Sequence, residues 1–220
     1  MLYANARDMT RLADCLAADR SPAGCDAVSV PTDPRRAELG LAAMIGETVP
    51  AMLQAKEPSA ERLRVLHRVL AEAQRRDREG RSLLLTMALV DAYAAMAFAP
   101  DGVRLLPPGT ELFDVWSGGL HQILRRAPQR LDVLAAYFNW LLVQQRPEDI
   151  EAMLSLARKA DPTHPVLLWF SGVQLLGTRD ARSAAQGLSL MRQALGAGLE
   201  RFMPVDATTK AQLARAAGGG

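Results

Sequence analysis

The chain lacks several things that would have pointed to a function at once. Its 220 residues contain no run of about 18 apolar residues, the least a membrane-crossing helix needs. The first residues lack a basic stretch followed by an apolar one, so no signal peptide is read there. If the sequence is a whole protein, this predicts a cytoplasmic location. If it is a domain of an exported or membrane protein, the location is periplasmic. Only 5% of residues are aromatic. Alanine and leucine are abundant instead, a balance that favours helices over strands.

The net charge of +2 gives no case for nucleic-acid binding, and no basic stretch is interleaved with stacking aromatics. Lysine occurs only at Lys56, Lys159 and Lys210. The remaining cations are arginine, whose fork suits phosphate and carboxylate but whose frequency equally reflects a GC-rich, bacterial genome. The histidines His67, His121 and His164 stand far apart. There is no HExxH, GxSxG or Walker loop. No catalytic residue, cofactor or metal site is expected. Cysteine is nearly absent too, and Cys15 and Cys25 flank a loop holding Ser21, Pro22, Ala23 and Gly24. Either they close a disulfide, which requires an oxidising compartment, or Cys15 is a small buried apolar residue and Cys25 a loop thiol.

What is present reads as helices. Ala4 to Ala18 forms the first, with Met9, Leu12, Cys15 and Leu16 on one face. Asp33-Pro34 is an N-cap followed by proline at the first helical position. The helix it opens meets Pro50, which should kink or end it. Ser59 caps a third helix whose stripe is Leu63, Leu66, Leu70 and Ala73. Arg62, Arg64, Arg68, Arg75 and Arg76 lie mostly off that stripe, and Gly80 ends the helix. Leu83 to Phe98 is apolar on most sides and should be central to a core. Leu112 to Arg126 is a fifth helix, interrupted by Gly118-Gly119. These glycines either weaken the helix or mark close contact with a neighbour. Gly218-Gly219-Gly220 reads as a linker or an expression scar.

The strongest pattern is a repeat. Pro128 and Pro162 stand 34 residues apart, each closing a helix-like segment. From Leu131, the residues Leu134, Tyr137, Phe138 and Leu141 recur at packing positions of one helix, and Ile150, Leu154 and Ala157 at those of a second. From Pro165 the matching residues are Leu168, Gly172 and Leu175, then Ala184, Leu188 and Met191. This spacing resembles the tetratricopeptide repeat (TPR), a helix pair of about 34 residues. The resemblance covers roughly residues 112–199, with Trp116, Leu120 and Ile123 fitting the second half of an earlier, degenerate unit. Phe138 departs from the family where a small residue belongs, and Gly196 where proline belongs. The organisation it implies is all-α: a divergent helical region over 1–110, antiparallel pairs stacked as a short TPR-like solenoid over 111–203, and a tail over 204–220.

The resemblance also implies a concave face made by the first helix of each pair. Asp132, Ala135, Asn139 and Leu142 would line it in one unit, and Val166, Trp169, Val173 and Leu176 in the next. A peptide or helix would lie on this apolar face through Trp169 and Leu142, with Asn139 bonding its backbone; alternatively the N-terminal helices cover it. The carboxylate clamp of some TPRs needs basic side chains that are missing here. His67 reads as a partly buried helix residue, and His164 lies in the loop between units, where family members contact ligands. Trp116, Trp140 and Trp169 read as core. The expected role is a non-catalytic protein–protein interaction module in cell-envelope or multiprotein assembly. The alternative is the extramembrane domain of a larger membrane protein, such as a polysaccharide polymerase or ligase, with its catalytic residues elsewhere.

Overall fold

The computed structural model describes residues 2–17, 24–25, 33–55, 57–78, 82–178 and 180–216. Among them are ten α-helices and no strand. The chain divides into two compact units, Met1–Arg126 and Ala127–Gly220. The expected limits of the third helix at Gly80 and of the glycine tail lie outside the described residues.

The first unit contains α1 (Leu2–Ala17), α2 (Pro34–Gln54), α3 (Ala60–Arg78), α4 (Leu83–Phe98) and α5 (Leu112–Arg126). Helix α4 packs against α2, α3 and α5. Leu85, Leu89, Val90, Tyr93 and Met96 fill the space between them. This is what an apolar helix without a polar face requires, although Leu84 and Phe98 stay exposed at its two ends. Helix α5 turns Leu112, Trp116, Leu120 and Ile123 inward. It therefore belongs to the first unit, and the boundary expected after residue 110 falls after Arg126 instead.

Side-chain caps set the helix starts. Asp33 accepts from the Arg35 N–H at 3.1 Å, Ser59 from Arg62 at 3.3 Å and Ser82 from Leu85 at 3.2 Å. Pro50 does not end α2, which runs on to Gln54. Proline deprives the Gly46 carbonyl of its partner, but both Gly46 and Pro50 are exposed, so water satisfies it.

Cys15 and Cys25 are joined by a disulfide, and both are buried. Two α3 arginines fasten the same region. Arg62 Nε donates to the Leu16 carbonyl at 2.7 Å, at the negative end of α1, and Arg68 Nη2 to the Cys25 carbonyl at 2.9 Å. Arg62 and Arg76 are buried, unlike the off-stripe arginines the sequence suggested. Each has a partner that makes this affordable, Arg76 through Glu72 at 2.6 Å.

The second unit contains α6 (Leu134–Val143), α7 (Pro147–Ala157), α8 (Pro165–Leu176), α9 (Ala181–Gly196) and α10 (Ala207–Arg215). Helices α6 and α7, and α8 and α9, are neighbours joined by short turns, and α8 also packs on α6 and α7. Phe138 and Phe170 meet edge-on, 4.8 Å apart, where α6 meets α8. The bulk of Phe138, out of pattern for a small position, is taken up in this contact.

Helices α8 and α9 touch backbone to backbone. A Cβ on Gly172 would lie 2.6 Å from the Gly187 carbonyl oxygen, and one on Gly187 would lie 2.7 Å from that of Gly172. Gly187, rather than Ala184, is the small residue that admits this approach. Helix α10, capped by Asp206, buries Leu213 and packs on α9, so much of the expected tail is folded.

Gly172→Ala should lower the melting temperature by circular dichroism, by about 1–3 kcal/mol of overpacking, despite alanine's better helix propensity. Gly196→Ala, where a Cβ meets nothing within 4 Å, should leave it unchanged or raised. Replacing both cysteines by alanine should cost about 2.5–3 kcal/mol in urea unfolding, the loop entropy of a bridge across 10 residues.

Candidate functional site

Helices α6 and α8 carry the side chains assigned to the groove, and the structure sorts them. Leu142 and Leu176 lie near the C-terminal ends of α6 and α8 and are 37% and 38% exposed. Val143, beside Leu142, is 73% exposed. Asn139 and Val173 are half-buried. Trp169 is only 7% exposed. It is a core residue, as its helical position also allowed, and cannot be the anchor on which a peptide lies. The accessible apolar surface is therefore Leu142, Val143 and Leu176.

Asp132 is spoken for locally. Arg130 donates to both its oxygens, Nε to Oδ1 at 2.8 Å and Nη2 to Oδ2 at 2.9 Å. These hydrogen bonds hold its carboxyl below the usual carboxylate range.

His164 is a structural residue first. Its Nδ1 accepts from the Val166 N–H at 3.3 Å, capping α8, and its ring lies 4.8 Å from that of Phe202. Burial lowers its pKa below the ordinary 6.5, against the opposing pull of the Asp161 and Asp132 carboxylates. The neutral ring is the one that can accept at Nδ1.

The first unit holds a feature the sequence did not disclose. At the junction of α3, α4 and α5 a polar cluster is set into apolar packing. The Thr86 hydroxyl, fully buried, donates to Asp77 Oδ1. Arg126 Nη1 donates to Thr86 Oγ1 at 3.0 Å, and its Nη2 to the Asp77 carbonyl at 3.2 Å. The Asp77 carboxylate lies 3.7 Å from the same guanidinium. Arg126 thus ties α5 to α3 and α4, a task beyond complementing the dipole of its own helix. Next to the cluster, Gln74 Nε2 donates to Tyr93 Oη at 2.6 Å. Burial pushes the Tyr93 phenol well above the usual tyrosine range, so it stays protonated.

A cavity of about 260 Å³ opens beside these groups. The signal that could have found it was present: Asp77, Thr86 and Tyr93 interrupt otherwise apolar stripes. Nothing in one sequence links residues 77, 86 and 126, however, until the helices are placed.

His67 is half-buried on α3; burial lowers its pKa, opposed by a hydrogen bond to the Leu105 backbone. Among the described residues no group of three or more His, Cys, Asp or Glu could hold a metal ion. None of the described helices is long and apolar enough to cross a membrane. Compared with known proteins, the chain matches no family model, no curated protein and no solved structure.

The depressed pKa values of His164 and His67 set a pH dependence. The unfolded chain binds protons to these rings near 6.5, the folded chain only at lower pH, so stability falls as the pH drops below about 6.5. His164→Asn keeps a capping side chain without the titration. Its melting temperature should therefore fall less than the native protein's between about pH 7.5 and 5.5.

Proposed function

We propose that the second unit is a TPR-like, non-catalytic interaction module that binds a protein or peptide segment on the α6–α8 face, in cell-envelope or multiprotein assembly. The observation that carries this reading is the repetition of one exposed position. Leu142 and Leu176, 34 residues apart, both lie near the C-terminal ends of neighbouring helices and are similarly accessible. A row of accessible apolar side chains at one repeat spacing suits an extended or helical segment laid across both helices. The 34-residue spacing and the close α8–α9 pairing support the TPR-like part.

A second reading has an observation of its own. The Cys15–Cys25 disulfide favours an oxidising compartment, which suits the extramembrane domain of a larger membrane protein whose chemistry lies outside this chain. An immunoblot of membrane and soluble fractions separates the two readings. A band near 24 kDa in the soluble fraction supports the free-standing module. A much larger membrane-bound band supports the second.

The binding face itself is tested by photo-crosslinking in the native cells, with the crosslinker in place of Leu176 or, as a control, Gln193 on exposed α9. Discrete adducts from position 176 alone uphold the reading. Adducts absent from 176, or equal at 193, sink it. Trp169→Ala is unsuitable for this purpose because a buried tryptophan supports the fold.

A further inference from the structure

We infer that the cavity between α3, α4 and α5 is a binding site for a protonated amine on a short aliphatic stem. This rests on the first unit alone and is independent of the reading given to the second.

The cavity is a pocket open to solvent on the α3–α4–α5 surface, with Asp114 and Gly118 exposed at its rim and Leu89, Tyr93 and Asp77 buried behind them. Part of its wall is the Gly118-Gly119 pair in the middle of α5. Glycine inside a helix is destabilising, so each one requires a reason. Gly119 has one: a Cβ there would come 2.7 Å from Val90 Cγ2. Gly118 has no such neighbour, and a Cβ there meets nothing within 4 Å. What a side chain at 118 would take up is the space of the cavity.

The lining selects the ligand. Asp77 and Asp114 contribute carboxylates and Gln74 an amide, the Gln122 carbonyl oxygen already accepts from Arg126 Nη2 at 3.3 Å, and no cationic side chain lines the cavity. Arg126 lies 3.7 Å from the Asp77 carboxylate and offsets that charge. Asp114 is exposed and has no ion-pair partner among the described residues, which leaves one net negative charge. Gln74 spends an N–H on Tyr93 Oη, so its carbonyl oxygen remains an acceptor. An ammonium group offers three donors and no acceptor, which suits the free acceptors, the Asp114 carboxylate and the Gln74 carbonyl. Leu89 and Val115 provide an apolar wall for the stem. The volume of about 260 Å³ admits a short alkyl chain and little more.

Calorimetric titration of the full chain tests this, with n-butylamine, its neutral isostere 1-butanol, and a blocked lysine peptide. Butylammonium should bind saturably, and 1-butanol about tenfold more weakly or not at all. Asp114→Asn, a surface change that leaves packing alone, should weaken the amine about tenfold and leave 1-butanol unchanged. Gly118→Leu should abolish binding while the melting temperature holds or rises, because the side chain fills the cavity and the helix gains propensity. Tighter binding of the lysine peptide than of butylamine assigns the amine to a partner protein, and the reverse assigns it to a free small molecule. Binding of neither overturns the inference. So does equal binding of 1-butanol, or unchanged binding in a folded Gly118→Leu protein.

Discussion

The first unit depends on one constraint: α4 has no polar face. A helix with that composition buries most of its surface, here against α2, α3 and α5, and leaves only Leu84, Asp91 and Phe98 exposed. Against these neighbours the Thr86 and Tyr93 side chains are cut off from water and have to be satisfied from within. Thr86 reaches Asp77, Arg126 reaches Thr86, and Gln74 reaches Tyr93. The cluster is thus a consequence of the burial, and each bond joins two different helices. Unpaired, these groups would cost more than their bonds contribute. Their positions therefore help specify how the three helices are arranged.

The second unit solves the same problem with less polar chemistry. Its best-packed pair, α8 and α9, gains stability from close approach. The Gly172–Gly187 contact lets two backbones meet where side chains would hold them apart. Phe138 and Phe170 fill the gap between α6 and α8. What remains on the outside is a few apolar side chains, Leu142, Val143, Leu176 and Phe202.

Helix existence was legible in the sequence because apolar periodicity and caps are local. The caps at Asp33 and Ser59 and the inward face of α5 stand where the residues placed them, while on α3 Val65 and Val69 are buried with Leu66, Leu70 and Ala73, and Leu63 is half-buried. Partnership between helices was not legible. Trp169 and Leu176 lie on the same helix and looked alike as groove residues, yet one is core and the other exposed. Only the position of α8 against its neighbours separates them. Pro50 misled because its usual effect assumes a carbonyl that cannot reach water. Asp77, Thr86 and Arg126 carry no local sign of one another, and the cluster appears only when α3, α4 and α5 are brought together. The close approach of α8 and α9 was anticipated through Gly172, but its true counterpart, Gly187, is three positions beyond the alanine that the repeat pattern favoured.

The three tryptophans are divided between the units in a useful way. Trp116 is the only one before residue 127, fully buried with its ring edge-on to Phe98. Trp140 stacks on Tyr137 at 6.2 Å, and Trp169 lies in the same unit. The molecule thus carries its own fluorescent label on each side of the boundary. Emission from a chain retaining Trp116 alone follows the first unit, and emission from one retaining Trp140 and Trp169 follows the second. Comparing the two curves tells whether the halves melt as one cooperative body or in succession, without any dye attached.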